Sequence, residues 1–141
     1  MQAADILEAK GRTVVTCEAG APLDAVIAVL AEKNIGAVVV AEGRTPLGIV
    51  SERDIVRALA GAPTGFRGTE VGALMTRDLH TIGPGASIDE LMDLMTEHRI
   101  RHVPVVEDGA LVGILSIGDV VKHRIREVTG EAEALKSYIS G

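Results

Sequence analysis

Three observations predict an α/β (α+β) protein assembled from two copies of one small unit. Gly48-Ile49-Val50-Ser51-Glu52-Arg53-Asp54 returns 65 residues later as Gly113-Ile114-Leu115-Ser116-Ile117-Gly118-Asp119. At the same offset, without a gap, Thr16 falls on Thr81, Asp24 on Asp89, Ile35 on Ile100, Val40 on Val105 and Val56 on Val121. Self-similarity on this scale marks a repeated structural unit. Within each copy, apolar residues recur first at helical spacing and then in short near-continuous runs, the pattern of strands covered on both faces. Finally, apolar residues make up 47% of the chain and Phe66 and Tyr138 are its only aromatics, so the core is small and aliphatic and suits close helix-on-sheet layers.

Residues 3 to 9 read as a short amphipathic turn around Asp5-Ile6-Leu7, with Glu70 to Met75 as counterpart. A brief extended segment follows at Thr13 to Thr16, matched by Asp78 to Thr81. These pieces are too short to stand alone, and each is expected to lie against the other repeat. The clearest helices come next. Leu23, Val26, Ile27 and Leu30 fall at i, i+3, i+4 and i+7, as do Ile88, Leu91, Met92 and Met95. Pro22 suits the first turn of one helix and Ser87 caps the other, while Asp24 and Asp89 complement the helix dipoles. The methionine pair reads as core filler rather than as ligands.

Two strands then follow in each copy, Gly36 to Ala41 with Leu47 to Ser51 and Arg101 to Val106 with Leu111 to Ser116. Asp108-Gly109 is a hairpin signal, and Glu42 to Pro46 is a looser turn. Pro104 has no N–H for a ladder and is expected at an edge or bulge. The closing helices are Glu52 to Ala60 and Ile117 to about Val128. Residues 61–68, with Pro63, Gly65 and Gly68, form a linker. Lys122, His123, Arg124 and Arg126 are a basic run whose charges mostly face solvent. Beyond the repeat, a separate helix over 130–139 carries Leu135, Tyr138 and Ile139 on one apolar face, which favours a dimer contact.

The repeated heptapeptide ends a strand and opens a helix, and it admits two readings. Ser followed three residues later by Asp is a capping box that satisfies free helix N–H groups. It is also the makings of a nucleotide site. A helix N-terminus attracts phosphate, a short acid accepts hydrogen bonds from sugar hydroxyls, and the preceding Gly lets a ligand approach the strand. The residues alone leave these readings even.

The duplicated Gly-apolar-apolar-Ser-x-x-Asp signature, each time after a helix and a strand, resembles the CBS domain (cystathionine-beta-synthase type), found as tandem pairs called Bateman modules. The resemblance covers about residues 5 to 126. It implies two β-α-β-β-α repeats, 5–60 and 69–126, packed through their sheets into one module with pseudo-two-fold symmetry. It further implies clefts for adenosine-containing ligands: AMP, ADP, ATP, NAD(H) or S-adenosylmethionine, with NADP ranked last because the motif Asp repels a 2′-phosphate. In such a module Asp54 and Asp119 hold the ribose hydroxyls, and Ser51 and Ser116 contact ribose or phosphate. Thr16 and Thr81 help line the adenine pocket. The strand leads Gly36, Ala37, Val38 and Arg101, His102, Val103, Pro104 border the nucleotide, Arg101 and His102 being candidates to neutralise phosphate. Arg53 reaches the phosphates. Gly118 departs from that pattern, so the two sites are expected to differ in ligand preference and strength.

Other functions are disfavoured. The formal net charge of −6 and the lack of stacking aromatics argue against nucleic acid. His98 and His102 stand four apart, but the helix should end near Arg99, which separates them as metal ligands. Neither Ser has an oriented general base or a Gly-x-Ser-x-Gly elbow, so catalysis is not expected and no cofactor is required. Cys17, the only cysteine, aligns with Ile82 and reads as a buried hydrophobic position. No apolar run spans a membrane and no signal pattern opens the chain, which makes cytoplasm the default. The expected protein is a nucleotide-sensing homodimer acting through an unidentified effector protein. The alternative is a structural dimer with vestigial sites.

Overall fold

The computed structural model describes residues 1–61 and 64–140. Helix α1 (Ala3–Lys10) leads to a two-residue strand β1 (Thr16–Cys17), α2 (Leu23–Lys33), the hairpin β2 (Ala37–Glu42) and β3 (Thr45–Ser51), and α3 (Glu52–Gly61). After a 3-10 turn at Phe66–Gly68 the second copy follows: α4 (Val71–Leu74), α5 (Ile88–His98), β4 (His102–Glu107), β5 (Ala110–Ser116) and α6 (Ile117–Ser140). Of the predicted linker, Ala62 and Pro63 lie outside the described residues.

The 65-residue offset reaches down to local irregularities. Both hairpins slip register at the same place, between Val40 and Ala41 and between Val105 and Val106. Both long helices of the repeat end on a left-handed residue, Asn34 (φ 52°) and Arg99 (φ 53°). That conformation suits asparagine, while arginine takes it at some cost. Ser87 caps α5 as expected, accepting from the Glu90 amide at 3.1 Å.

The sheets are unequal, and one residue accounts for the difference. The first copy has three strands in the order β1-β2-β3, the second only β4-β5, with the counterpart of β1 reduced to a single bridge from Ile82 to Val105. In the first copy the Val39 amide donates to the Val15 carbonyl at 3.3 Å. Pro104 stands in the place of Val39 and has no N–H to donate. Only the bonds from Ile82 N to Pro104 O (3.2 Å) and from Val106 N to Ile82 O (2.8 Å) remain. Pro104 thus sits on the thin outer side of its sheet and one residue before a bulge, and the hairpin ladder loses nothing.

Each copy completes its core with the leading helix of the other. Ala3, Ile6 and Leu7 are buried among Leu91, Val103 and Leu115 of the second copy, whereas Val71 and Met75 pack with Leu23, Val38 and Val50 of the first. The α1 backbone is tied across as well, Ala3 N to Ala86 O at 2.8 Å and Ala4 N to Pro84 O at 2.9 Å. The leading helices therefore lie against the opposite repeat, as their shortness predicts, but the extended segments after them do not: β1 pairs with β2 of its own copy, and Ile82 bridges to Val105 of its own.

Four expectations need correcting. The signature glycines are not there for a ligand. A Cβ on Gly48 would stand 2.6 Å from Met75 Sδ and 2.9 Å from Thr76 O, and one on Gly113 would stand 2.5 Å from Leu7 Cδ2, so these glycines admit the crossing helices. Met95 is core but Met92 is 37% exposed, so the pair does not fill the core together. Cys17 is half-buried rather than buried, and burial pushes its thiol up. No break occurs at Gly130: α6 is one helix of 24 residues, and 130–139 is not a separate element. A glycine in a helix interior costs only about 1 kcal/mol, too little to end a helix with good formers on both sides. Among the described residues no helix is long and apolar enough to cross a membrane.

Candidate ligand-binding clefts

The exchange of leading helices creates two clefts, each between the signature of one copy and the strand lead of the other. The Asp54 cleft has a volume of about 640 Å³ and joins Ser51, Arg53, Asp54 and Arg57 to Thr76, Arg99, Arg101 and His102. The Asp119 cleft, about 320 Å³, joins Ser116 and Asp119 to Lys10, Thr13, Asn34 and Ala37. Gly36 and His102 line both clefts and so form the wall between them. A Cβ on Gly36 would approach His102 Cε1 to 3.1 Å, so the missing side chain is what admits the ring.

Both readings of the signature hold at once. In the first copy the Ser51 amide and hydroxyl donate to Asp54 Oδ2 at 2.8 and 3.1 Å, and the Asp54 amide donates back to Ser51 Oγ at 3.4 Å. The second copy repeats the pattern around Asp119 Oδ2 at 2.8, 2.9 and 3.2 Å. Each motif is a capping box, and each also borders a cleft. The two acids differ in what else they hold. Asp54 Oδ1 accepts from the Thr76 hydroxyl at 3.3 Å. Asp119 Oδ2 accepts from Lys10 Nζ at 2.6 Å, and the same ammonium donates to the Ile114 carbonyl at 2.7 Å.

Charge follows from these contacts. Burial pushes the Asp119 carboxyl up, but the Lys10 ammonium and the Ser116 amide and hydroxyl outweigh it and hold the group below the usual aspartate range. For His102, burial and the Lys10 charge outweigh the opposing pull of Asp119 and Glu52, so the imidazole titrates below its ordinary value. The His98 ring stacks on His80 with centroids 3.6 Å apart, at the edge of the Asp54 cleft. His98 closes α5 while His102 opens β4, so the two do not share a helix face. Among the described residues no group of three or more His, Cys, Asp or Glu could hold a metal ion.

Of the residues singled out from sequence, Gly36, Ala37, Ser51, Arg53, Asp54, Arg101, His102, Ser116 and Asp119 line a cleft. Thr16 and Thr81 do not: both are exposed and lie outside the two linings. Val38, Val103 and Pro104 are buried in the sheets, because only the first residue or two of each strand lead reaches the opening before the pleat turns inward. Gly118 is exposed on α6 and lines neither cleft. Sequence reasoning missed Lys10, Thr13, Asn34, Arg57, Thr76 and Arg99. Arg57 had a signal, standing one helical turn after Arg53. Lys10 had none, since its repeat counterpart is Met75 and its reach depends on where α1 docks.

The profile of the CBS domain family matches residues 4–61 and 71–126. The chain is 33% identical to the "CBS domain-containing protein CBSX3, mitochondrial" of Arabidopsis thaliana, over 97% of this chain and 71% of that protein. Among solved structures it is similar to the CBS-domain containing protein ATU1752 from Agrobacterium tumefaciens, with 42% identity, a TM-score of 0.85 and coverage of 88% of this chain and 99% of that one. It is also similar to the CBS domain pair of protein MJ0100 in complex with 5′-methylthioadenosine and S-adenosyl-L-methionine, at 25% identity and a TM-score of 0.76, covering 86% of this chain and 98% of that one.

Proposed function

The chain belongs to the CBS-domain family as a tandem pair, and from that premise we propose that it is a regulatory module binding an adenosine nucleotide, AMP, ADP, ATP or NAD(H), in the clefts beside Asp54 and Asp119. The observation that carries this reading is the double placement of each motif acid. Its Oδ2 staples the helix N-terminus while the residue borders an opening of ligand size. The adenosine compounds bound by the MJ0100 pair support the ligand class. The helix N-termini at Ser51 and Ser116 supply the amide-rich, electropositive end that suits an anionic group. Both serine hydroxyls are already engaged with the motif acids, which supports a binding role over a nucleophilic one. In this reading the module works in the cytoplasm as a homodimer. Ligand that prefers one arrangement of the repeats over another shifts that arrangement and is read by an effector protein.

Thermal unfolding tests the proposal. Ligand at a hundred times its dissociation constant stabilises by about 2.7 kcal/mol, a shift of roughly 6–12 °C for a domain of this size. AMP, ATP or NAD is expected to give such a shift, and Asp54→Ala or Asp119→Ala to lose it according to the cleft the compound occupies, each judged against its own unliganded melting point because a cap is removed too. A flat response to every adenosine compound supports the second reading, a structural dimer with vestigial sites. That reading draws on the Lys10 ammonium already seated on Asp119.

A further inference from the structure

Building on the nucleotide reading above, we propose that the two clefts are unequal by construction: the Asp54 cleft takes an adenosine ligand bearing a phosphate chain, and the Asp119 cleft excludes it. Four arginines line the Asp54 cleft, Arg53 and Arg57 from α3 and Arg99 and Arg101 from the second copy. All four side chains are exposed, and none is ion-paired among the described residues. The one hydrogen bond that any of them makes there is a long one, Arg53 Nη1 to the Arg99 carbonyl at 3.5 Å. Glu52 and Asp54 are the acids in that lining, and Asp54 is committed to its cap and to Thr76. Like charges gathered from two walls around one opening repel each other until an anion enters between them. Guanidinium is also the side chain best shaped for phosphate oxygens.

The repeat offset supplies an internal control. The positions equivalent to Arg53, Arg57, Arg99 and Arg101 are Gly118, Lys122, Asn34 and Gly36, of which only Asn34 and Gly36 line the other cleft. Lys122 is exposed and lines neither cleft. The one cation facing Asp119 that its counterpart lacks is Lys10, and its charge is already spent on the Asp119 carboxylate at 2.6 Å. That ammonium sits on Oδ2, the oxygen that also accepts the Ser116 amide and hydroxyl, so a phosphate chain entering this cleft meets a cation whose charge is already neutralised by a charge-assisted bond. The Asp119 cleft also has half the volume of its partner. One cleft is therefore roomy and lined with cations free of ion pairs, and in the smaller one the cation is already paired with the motif acid of the same molecule.

Isothermal titration and native mass spectrometry of the full chain with adenosine, AMP, ADP, ATP and inorganic tripolyphosphate test this. The expected result is one ATP per chain. Affinity rises at least tenfold from AMP to ATP at low salt, and the gain shrinks at 0.5 M NaCl as screening sets in. Arg99→Gln with Arg101→Gln collapses the ATP-over-AMP preference, and Arg57→Gln, on the exposed face of α3, lowers it independently. Unliganded melting points show whether each variant is folded. Two equivalent ATP per chain, or adenosine and AMP binding as tightly as ATP, overturns this proposal and leaves the nucleotide reading standing. So does loss of ATP binding in Asp119→Asn with its retention in Asp54→Asn. Tripolyphosphate binding as tightly as ATP shows an anion site without a nucleoside and overturns it too. Silence from all five compounds overturns this proposal, and silence from NAD(H) as well overturns the nucleotide reading with it.

Discussion

Gly48 and Gly113 show how a single position is decided by a neighbour far away in sequence. Read locally, a glycine before a strand end beside a possible nucleotide site suggests room for a ligand. In the fold the room is taken by Met75 and Leu7 from the helices that cross between copies. The two contacts differ in how they can respond to an added methyl. At Gly113 the obstacle is the flexible end of Leu7, whereas at Gly48 it includes the Thr76 carbonyl, which is bonded to the Ile49 amide at 3.1 Å and has little freedom to move. Gly48→Ala is therefore expected to destabilise by about 1–3 kcal/mol, the range for overpacking, and by more than Gly113→Ala. Urea unfolding of the two variants measures this, and an unchanged midpoint for Gly48→Ala contradicts the packing account. The motif acids were legible at this scale because a cap needs only residues three apart. Lys10 was not, because the bond to Asp119 joins residues 109 apart in the chain.

Elements were the most legible level. The i, i+3, i+4, i+7 pattern places α2 and α5, and the paired apolar runs place both hairpins within a residue or two. The misses have physical causes. The missing donor at Pro104 thins the second sheet, and the low cost of one glycine lets α6 run on through Gly130. That long helix leaves an apolar stripe uncovered: Val121, Ile125 and Val128 recur at i, i+4 and i+7 and are 49%, 61% and 60% exposed. Val56 on α3, the repeat counterpart of Val121, is exposed too, so both copies offer apolar surface on equivalent helices. A surface with pseudo-two-fold symmetry is suited to meeting a second copy of itself. Ile125→Glu with Val128→Glu is expected to convert a dimer into a monomer of the 14.7 kDa chain in light scattering, leaving the circular dichroism spectrum unchanged. A wild-type chain that is monomeric at tens of micromolar rules the contact out.

At the scale of the whole molecule, the two copies are not independent domains joined by a linker. The second copy's core contains Ile6 and Leu7, and the first copy's contains Val71 and Met75. Burying a side chain of this size stabilises by about 1.5–3 kcal/mol, so losing two removes about 3–6 kcal/mol, comparable with the entire stability of a small domain. Fragments 1–64 and 65–141 are accordingly expected to lack dispersed amide spectra alone and to regain them when mixed. A well-dispersed spectrum from 65–141 by itself would falsify the exchanged-core account.

What the chain determines by itself is therefore what depends on residues a few positions apart: two copies of one unit, their helices and hairpins, and capped helix starts at Ser51 and Ser116. Tertiary structure alone decides which copy completes which core, why the signature glycines are small, and how the clefts differ, with arginines lining one and Lys10 paired to the motif acid of the other. Those outcomes rest on contacts between residues that only the docking of α1 and α4 across the module brings together, and no local periodicity encodes them.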